Sequence, residues 1–167
     1  MKYIAFLDID GVFTSTRVQM STLNSRIIWD TFDPVAINFM NRLHHQIDDL
    51  SFVLISTWKN ELREADFRIA HWVQAAFRNA GFDGQLGNPW KTNPDNLDKF
   101  PHRGHEIKDY LETFAPACKD FIIFDDNDYS FEAILGKKRL IKTDGENGLL
   151  FKHMLNALSL VGTWDTK

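Results

Sequence analysis

An apolar run from Tyr3 to Leu7 stops at two acids, Asp8 and Asp10, and then at a glycine, Gly11. A strand with apolar residues on both faces belongs in the middle of a parallel sheet, covered above and below. Packing gives no reason to end such a strand in carboxylates. At the C-terminal edge of a parallel sheet they line the crevice where open α/β folds take their ligands. Two acids crowded there repel unless a cation or a proton neutralises them. The simplest reading is a magnesium site with one carboxylate free to attack.

Two more apolar strands end in reactive polar residues. Ser51 to Ile55 runs into Ser56-Thr57-Trp58-Lys59, and Phe121 to Phe124 runs into Asp125-Asp126-Asn127-Asp128. In a parallel sheet these ends share one edge with Asp8 and Asp10, so residues distant in sequence converge. Any one of the three reads equally well as a helix N-cap. All three together, with paired acids at two of them, read as a site.

Between the strands the pattern is helical. Asp33-Pro34 looks like an N-cap followed by proline at the first helical position, with an apolar stripe to about His45. A long helix is expected over about 60–80, closed by Gly81. Residues 82–101, with Gly84, Gly87, Pro89, Pro94 and Pro101, read as a long loop. Helical periodicity resumes from Arg103 to Phe114. A short helix is expected at about 129–135, a strand at Leu140 and Ile141, and a last helix from Asn147 to Leu160. Residues 12–33 mix turn residues with Ile27-Ile28-Trp29 and are not placed. The alternation predicts an α/β fold, a Rossmann-like three-layer sandwich whose central, mainly parallel sheet carries helices on both faces.

The 167 residues suit one domain spanning 1–167, and 44% hydrophobic with 25% charged residues is an ordinary globular balance. A net charge of −4 argues against broad electrostatic binding to nucleic acid, though not against a local basic groove. The single cysteine, Cys118, forms no intrachain disulfide and reads as a packing residue in a reducing compartment. No apolar stretch is long enough to cross a membrane, and Asp8 and Asp10 interrupt the N-terminal run, so a cytoplasmic, non-membrane protein is expected. The histidines show no zinc spacing. Lys137-Lys138-Arg139 reads as an exposed turn that could also meet a nucleic-acid backbone.

The set of motifs resembles the haloacid dehalogenase (HAD) superfamily of phosphotransferases. Asp8-Ile9-Asp10-Gly11-Val12 matches its first motif, Ser56 or Thr57 its second, and Asp125-Asp126 its fourth. The third, a Lys or Arg near a helix start, is assigned to Arg103, with Lys108 in reserve. Leu-Ile-Ser-Thr-Trp-Lys, Arg-Gly-His-Glu-Ile-Lys-Asp-Tyr-Leu, Asp-Asp-Asn-Asp and Leu-Ile-Lys-Thr-Asp look like the subgroup found in "Swiss Army Knife" RNA-repair proteins, proposed to act on phosphorylated nucleic-acid ends.

The resemblance implies a phosphatase working through an aspartyl-phosphate, and the physics of phosphoryl transfer agrees. A cation and a fixed positive side chain lower the repulsion between an anionic nucleophile and a phosphate. Asp8 is expected to be the nucleophile. Asp10 would protonate the leaving oxygen and later deprotonate water, and its backbone carbonyl would join the magnesium ion. Asp8 and Asp126 are the expected carboxylate ligands, with Asp125 bound directly or one shell out. Ser56 or Thr57 would donate to the transferring group, and Arg103 would pair with phosphate oxygens. Gly11 leaves the strand beneath the phosphate, where a positive φ or a close approach is needed, or is a plain turn glycine. Trp58 is a packing residue or stacks on a base or sugar. Only about forty residues, a span read off the chain, separate Gly11 from the second strand, leaving a minimal cap or none. The expected partner is a phosphorylated substrate, a nucleic-acid end or a nucleotide; a small-metabolite phosphatase and a catalytically weak binding module are the alternatives.

Overall fold

The computed structural model describes residues 1–21, 32–59, 66–92 and 102–162, except the side chains of 58 and 66–72. Ile27-Ile28-Trp29, Pro94, Pro101, the first turn of the expected 60–80 helix and the Trp58 side chain lie outside the described residues.

The strands are β1 (Tyr3–Leu7), β2 (Leu50–Leu54), β3 (Leu86–Lys91), β4 (Asp120–Asp125) and β5 (Leu140–Lys142). They form one sheet in the order β3-β2-β1-β4-β5, with every pairing parallel. β1 is central and wholly buried, as its double-sided apolar sequence requires. The helices are α1 (Thr16–Ser21), α2 (Pro34–Gln46), α3 (Asp66–Asn79), α4 (Arg103–Thr113), α5 (Phe131–Leu135) and α6 (Phe151–Val161).

Strand periodicity divides the core in two. Tyr3, Ala5 and Leu7 face Ala36, Ile37 and Met40 of α2, Val73 and Phe77 of α3, and Ala157 of α6. Ile4 and Phe6 face the other way, onto Ile107 and Tyr110 of α4 and Phe131 of α5. The result is the three-layer Rossmann-like sandwich, and among the described residues no cap domain stands over it.

Asp33 caps α2 as expected, its side chain accepting from Val35 N at 2.9 Å. α3 closes at Gly81, whose φ of 87° is open to glycine. Phe82 N donates to Phe77 O and Gly81 N to Arg78 O, the bonding of a Schellman cap. The accompanying apolar contact is Phe77 on Phe82, centroids 5.2 Å apart. Phe77 also meets Phe13 at 5.1 Å and Phe32 at 4.8 Å.

Two expectations need correction. The 82–101 loop contains β3, an edge strand hidden by Gly87 and Pro89. An edge strand pairs on one side only and so tolerates a residue without an N–H. Its ladder is irregular too, since Phe52 and Leu54 pair with residues as far apart as Leu86 and Lys91. The last helix starts at Phe151, not Asn147, because Asp144 turns the chain first: its Oδ1 accepts from Asn147 N at 2.7 Å and its carbonyl from Gly148 N at 2.8 Å. The unplaced 12–33 region contains a short helix, α1.

Phe77→Ala empties the centre of the aromatic cluster. Urea unfolding is expected to show a loss of about 3–5 kcal/mol.

Candidate active site

β1 sits between the two strands whose ends carry the other motifs, and its last backbone groups pair with both. Ile55 N donates to Leu7 O and Asp8 N donates to Phe124 O, each at 2.9 Å. The strand order reverses here, β2 lying on one side of β1 and β4 on the other, which makes this the switch point of the sheet. Asp8 is 2% exposed and Asp125 is fully buried.

One guanidinium ties these acids together. Arg103 opens α4, and its Nη1 lies 2.7 Å from Asp8 Oδ2 and 2.6 Å from Asp125 Oδ2. Asp8 Oδ1 accepts from Ile9 N at 2.8 Å, and Asp125 Oδ1 accepts from Asn127 N at 2.8 Å. Asp126, less buried, takes Asn127 Nδ2 at 2.7 Å. Oxygens of Asp8, Asp125 and Asp126 all lie within 4.8 Å of one another. Asp8 and Asp126, from distant motifs, are thus within reach of one ion.

The electrostatics are those of a site short of positive charge. Burial first, and then the charge of Asp8, push the Asp125 carboxyl up to about 7, although Arg103 opposes them. Asp126 is raised for the same two reasons. Burial works against the charge on Arg103, but Asp8 and Asp125 outweigh it and hold the guanidinium above its ordinary range. Three crowded carboxylates with neither sulfur nor imidazole form a donor set suited to a hard divalent cation.

Gly11 has both reasons suggested for it. Its φ is 70°, and a Cβ there would stand 2.6 Å from the Asp126 side chain. Asp10 is exposed, and its Oδ1 accepts from the Thr14 hydroxyl at 3.0 Å. Its carboxylate is not one of the clustered three. Ser56 is fully buried at the end of β2, whereas Thr57 is exposed and starts a 3-10 turn, Thr57–Lys59. Arg103 stands between Asp8 and Asp125. Lys108, five residues on, is exposed on α4 and turned well away from Arg103 around the helix. Lys137 and Arg139 pair with Asp120 at the start of β4, the opposite edge of the sheet. His102 and His105 belong to no metal-ligating group among the described residues.

Sequence reasoning missed two parts of the site. The Tyr129 ring packs on the Arg103 guanidinium, 4.7 Å from its centroid. Lys59, Thr92 and Glu106 form a buried polar cluster beside Arg103. The only signal for Tyr129 was an aromatic directly after an acidic run, and nothing marked Lys59 as buried.

A five-stranded, all-parallel sheet flanked by helices is the Rossmann-like architecture of the HAD class. The chain belongs to one family within it, the HAD domain in Swiss Army Knife RNA repair proteins, whose model matches residues 4–154. No curated protein and no solved structure matches the chain. No helix among the described residues is long and apolar enough to cross a membrane.

Gly11→Ala forces a β-carbon into Asp126 and an unfavourable φ on alanine. A thermal melt is expected to show a loss of at least about 1–2 kcal/mol, the conformational cost alone.

Proposed function

We propose that this chain is a magnesium-dependent phosphatase of the HAD type that removes phosphate from nucleic-acid ends or nucleotides through an aspartyl-phosphate on Asp8. One observation carries the reading: Arg103 touches both Asp8 and Asp125, while these two and Asp126 offer oxygens to a single point. Family membership supports phosphatase-type chemistry in general.

Asp8, Asp125 and Asp126 would hold the magnesium ion, together with the Asp10 carbonyl. When bound, the ion supplies charge that neutralises the acids and polarises the phosphoryl group. Asp8 attacks phosphorus as the ester P–O bond breaks, and Asp10 gives its proton to the departing oxygen. Water then attacks the aspartyl-phosphate, gives a proton to Asp10 and releases Asp8 with inorganic phosphate. Thr14 holds the Asp10 carboxylate for both transfers. Arg103 pairs with the equatorial oxygens, for which a planar fork is well shaped. Of Ser56 and Thr57, exposure favours Thr57 as the donor to the phosphoryl group. The absence of a cap among the described residues favours a polymer end over an engulfed metabolite. A cytoplasmic location goes with this reading, as the single cysteine suits a reducing compartment.

Asp8→Asn is expected to lower turnover of para-nitrophenyl phosphate by about a thousandfold or more, and a chelator to abolish it in the wild type. Retained activity in Asp8→Asn contradicts the covalent route. Oligonucleotides phosphorylated at 3′, 5′ or 2′ positions should be better substrates than mononucleotides; equal rates point to a small-molecule phosphatase instead.

The raised pKa of Asp125 predicts a pH effect with a definite sign. Its native form binds a proton more tightly than the unfolded chain does. The stability this contributes is present at low pH and is lost as the pH rises through about 7. Magnesium must displace that proton, so it should raise the melting temperature more at about pH 8 than at about pH 5.5. An equal rise at both speaks against Asp125 as a site residue.

A further inference from the structure

Beside the carboxylates lies a second charged cluster that the proposed chemistry leaves unused. Lys59 ends the 3-10 turn after β2 and is 3% exposed. An ammonium has three donors. The Lys59 Nζ points them at the Ile55 carbonyl (3.4 Å), the Thr92 hydroxyl and the Glu106 carboxylate. Thr92, fully buried at the end of β3, closes the triangle by donating to Glu106 Oε2 at 2.8 Å. Burial pushes the Lys59 ammonium below its ordinary range, Glu106 opposes that shift, and Arg103 adds to it.

Glu106 follows Arg103 by three residues on α4, a spacing at which opposite charges on a helix surface pair. It is a rival partner for the guanidinium that reaches Asp8 and Asp125. We infer that Lys59 is a positioning residue: by occupying the Glu106 carboxylate, it leaves Arg103 free to hold Asp8 and Asp125 and to meet phosphate. The Tyr129 ring, 4.7 Å away, supports the same pose. Thr92 takes part because its hydroxyl joins the cation to the acid, and its backbone N donates to Leu54 O at 3.0 Å, fixing the cluster to β2.

The inference rests on the phosphatase reading for the importance of Arg103, and the experiment separates the two. Orthophosphate binding to the intact chain is measured by calorimetry for the wild type and for Lys59→Met, Glu106→Gln and the double variant. Lys59→Met should weaken it about tenfold or more, because the freed Glu106 draws Arg103 away. Glu106→Gln leaves a buried lysine unpaired and lowers the melting temperature, but removes the rival, so affinity should stay within about threefold. The double variant should recover wild-type affinity to about the same margin, and it decides the matter if Lys59→Met does not fold. A purely structural strut predicts that both single variants lose affinity together. That result, a Lys59→Met variant that binds normally, a folded double variant that binds poorly, or a wild type that binds no orthophosphate overturns the inference. Turnover by Asp8→Asn judges the phosphatase reading separately.

Discussion

The interaction on which the rest depends is the bridge from Arg103 to Asp8 and Asp125. Three carboxylates with oxygens inside a 4.8 Å circle, two of them buried, are a costly arrangement in a medium poor in water. One guanidinium cannot balance three acids. The unrelieved charge appears in Asp125, pushed up to about 7 by burial and by its neighbour Asp8. A proton or a second cation relieves that repulsion.

The rest of the molecule follows from the need to hold that cluster. β1 is buried on both faces and bonded on both sides, so Asp8 projects from the central strand of the sheet. Asp125 and Asp126 leave the adjacent strand, so their distance from Asp8 is set by the spacing of paired parallel strands. Gly11 is bare so that Asp126 can stand over it. The α4 helix packs on the sheet through Ile107 and Tyr110, and this docking brings its first residue, Arg103, over the edge. Acids on strand ends and a guanidinium at a helix start thus stand on the packed core.

How much of this could be read from the chain follows from where the signal lay. Double-sided apolar strands are unambiguous, and β1, β2 and β4 announced both themselves and a shared edge of polar residues. A helix was expected to begin at Arg103, and α4 does. β3 was not legible, because Gly87 and Pro89 break the alternation that marks a strand, and only its edge position makes them tolerable. The roles of Lys59, Thr92 and Glu106 were invisible for another reason. A buried lysine looks like a surface lysine until the partners that compensate it are seen, and these come from two other segments. Tyr129 was missed likewise: its contact with Arg103 joins the loop after β4 to the start of α4.

The central claim is that Asp8, Asp125 and Asp126 share one divalent cation. Calorimetric titration of magnesium into the metal-free chain and its Asp126→Ala variant, at a pH above about 7 where Asp125 is ionised, tests it most directly. One ion per chain in the wild type, and binding weakened about tenfold or more in the variant, is the predicted result. No uptake by the wild type, or unchanged affinity without the Asp126 carboxylate, contradicts it.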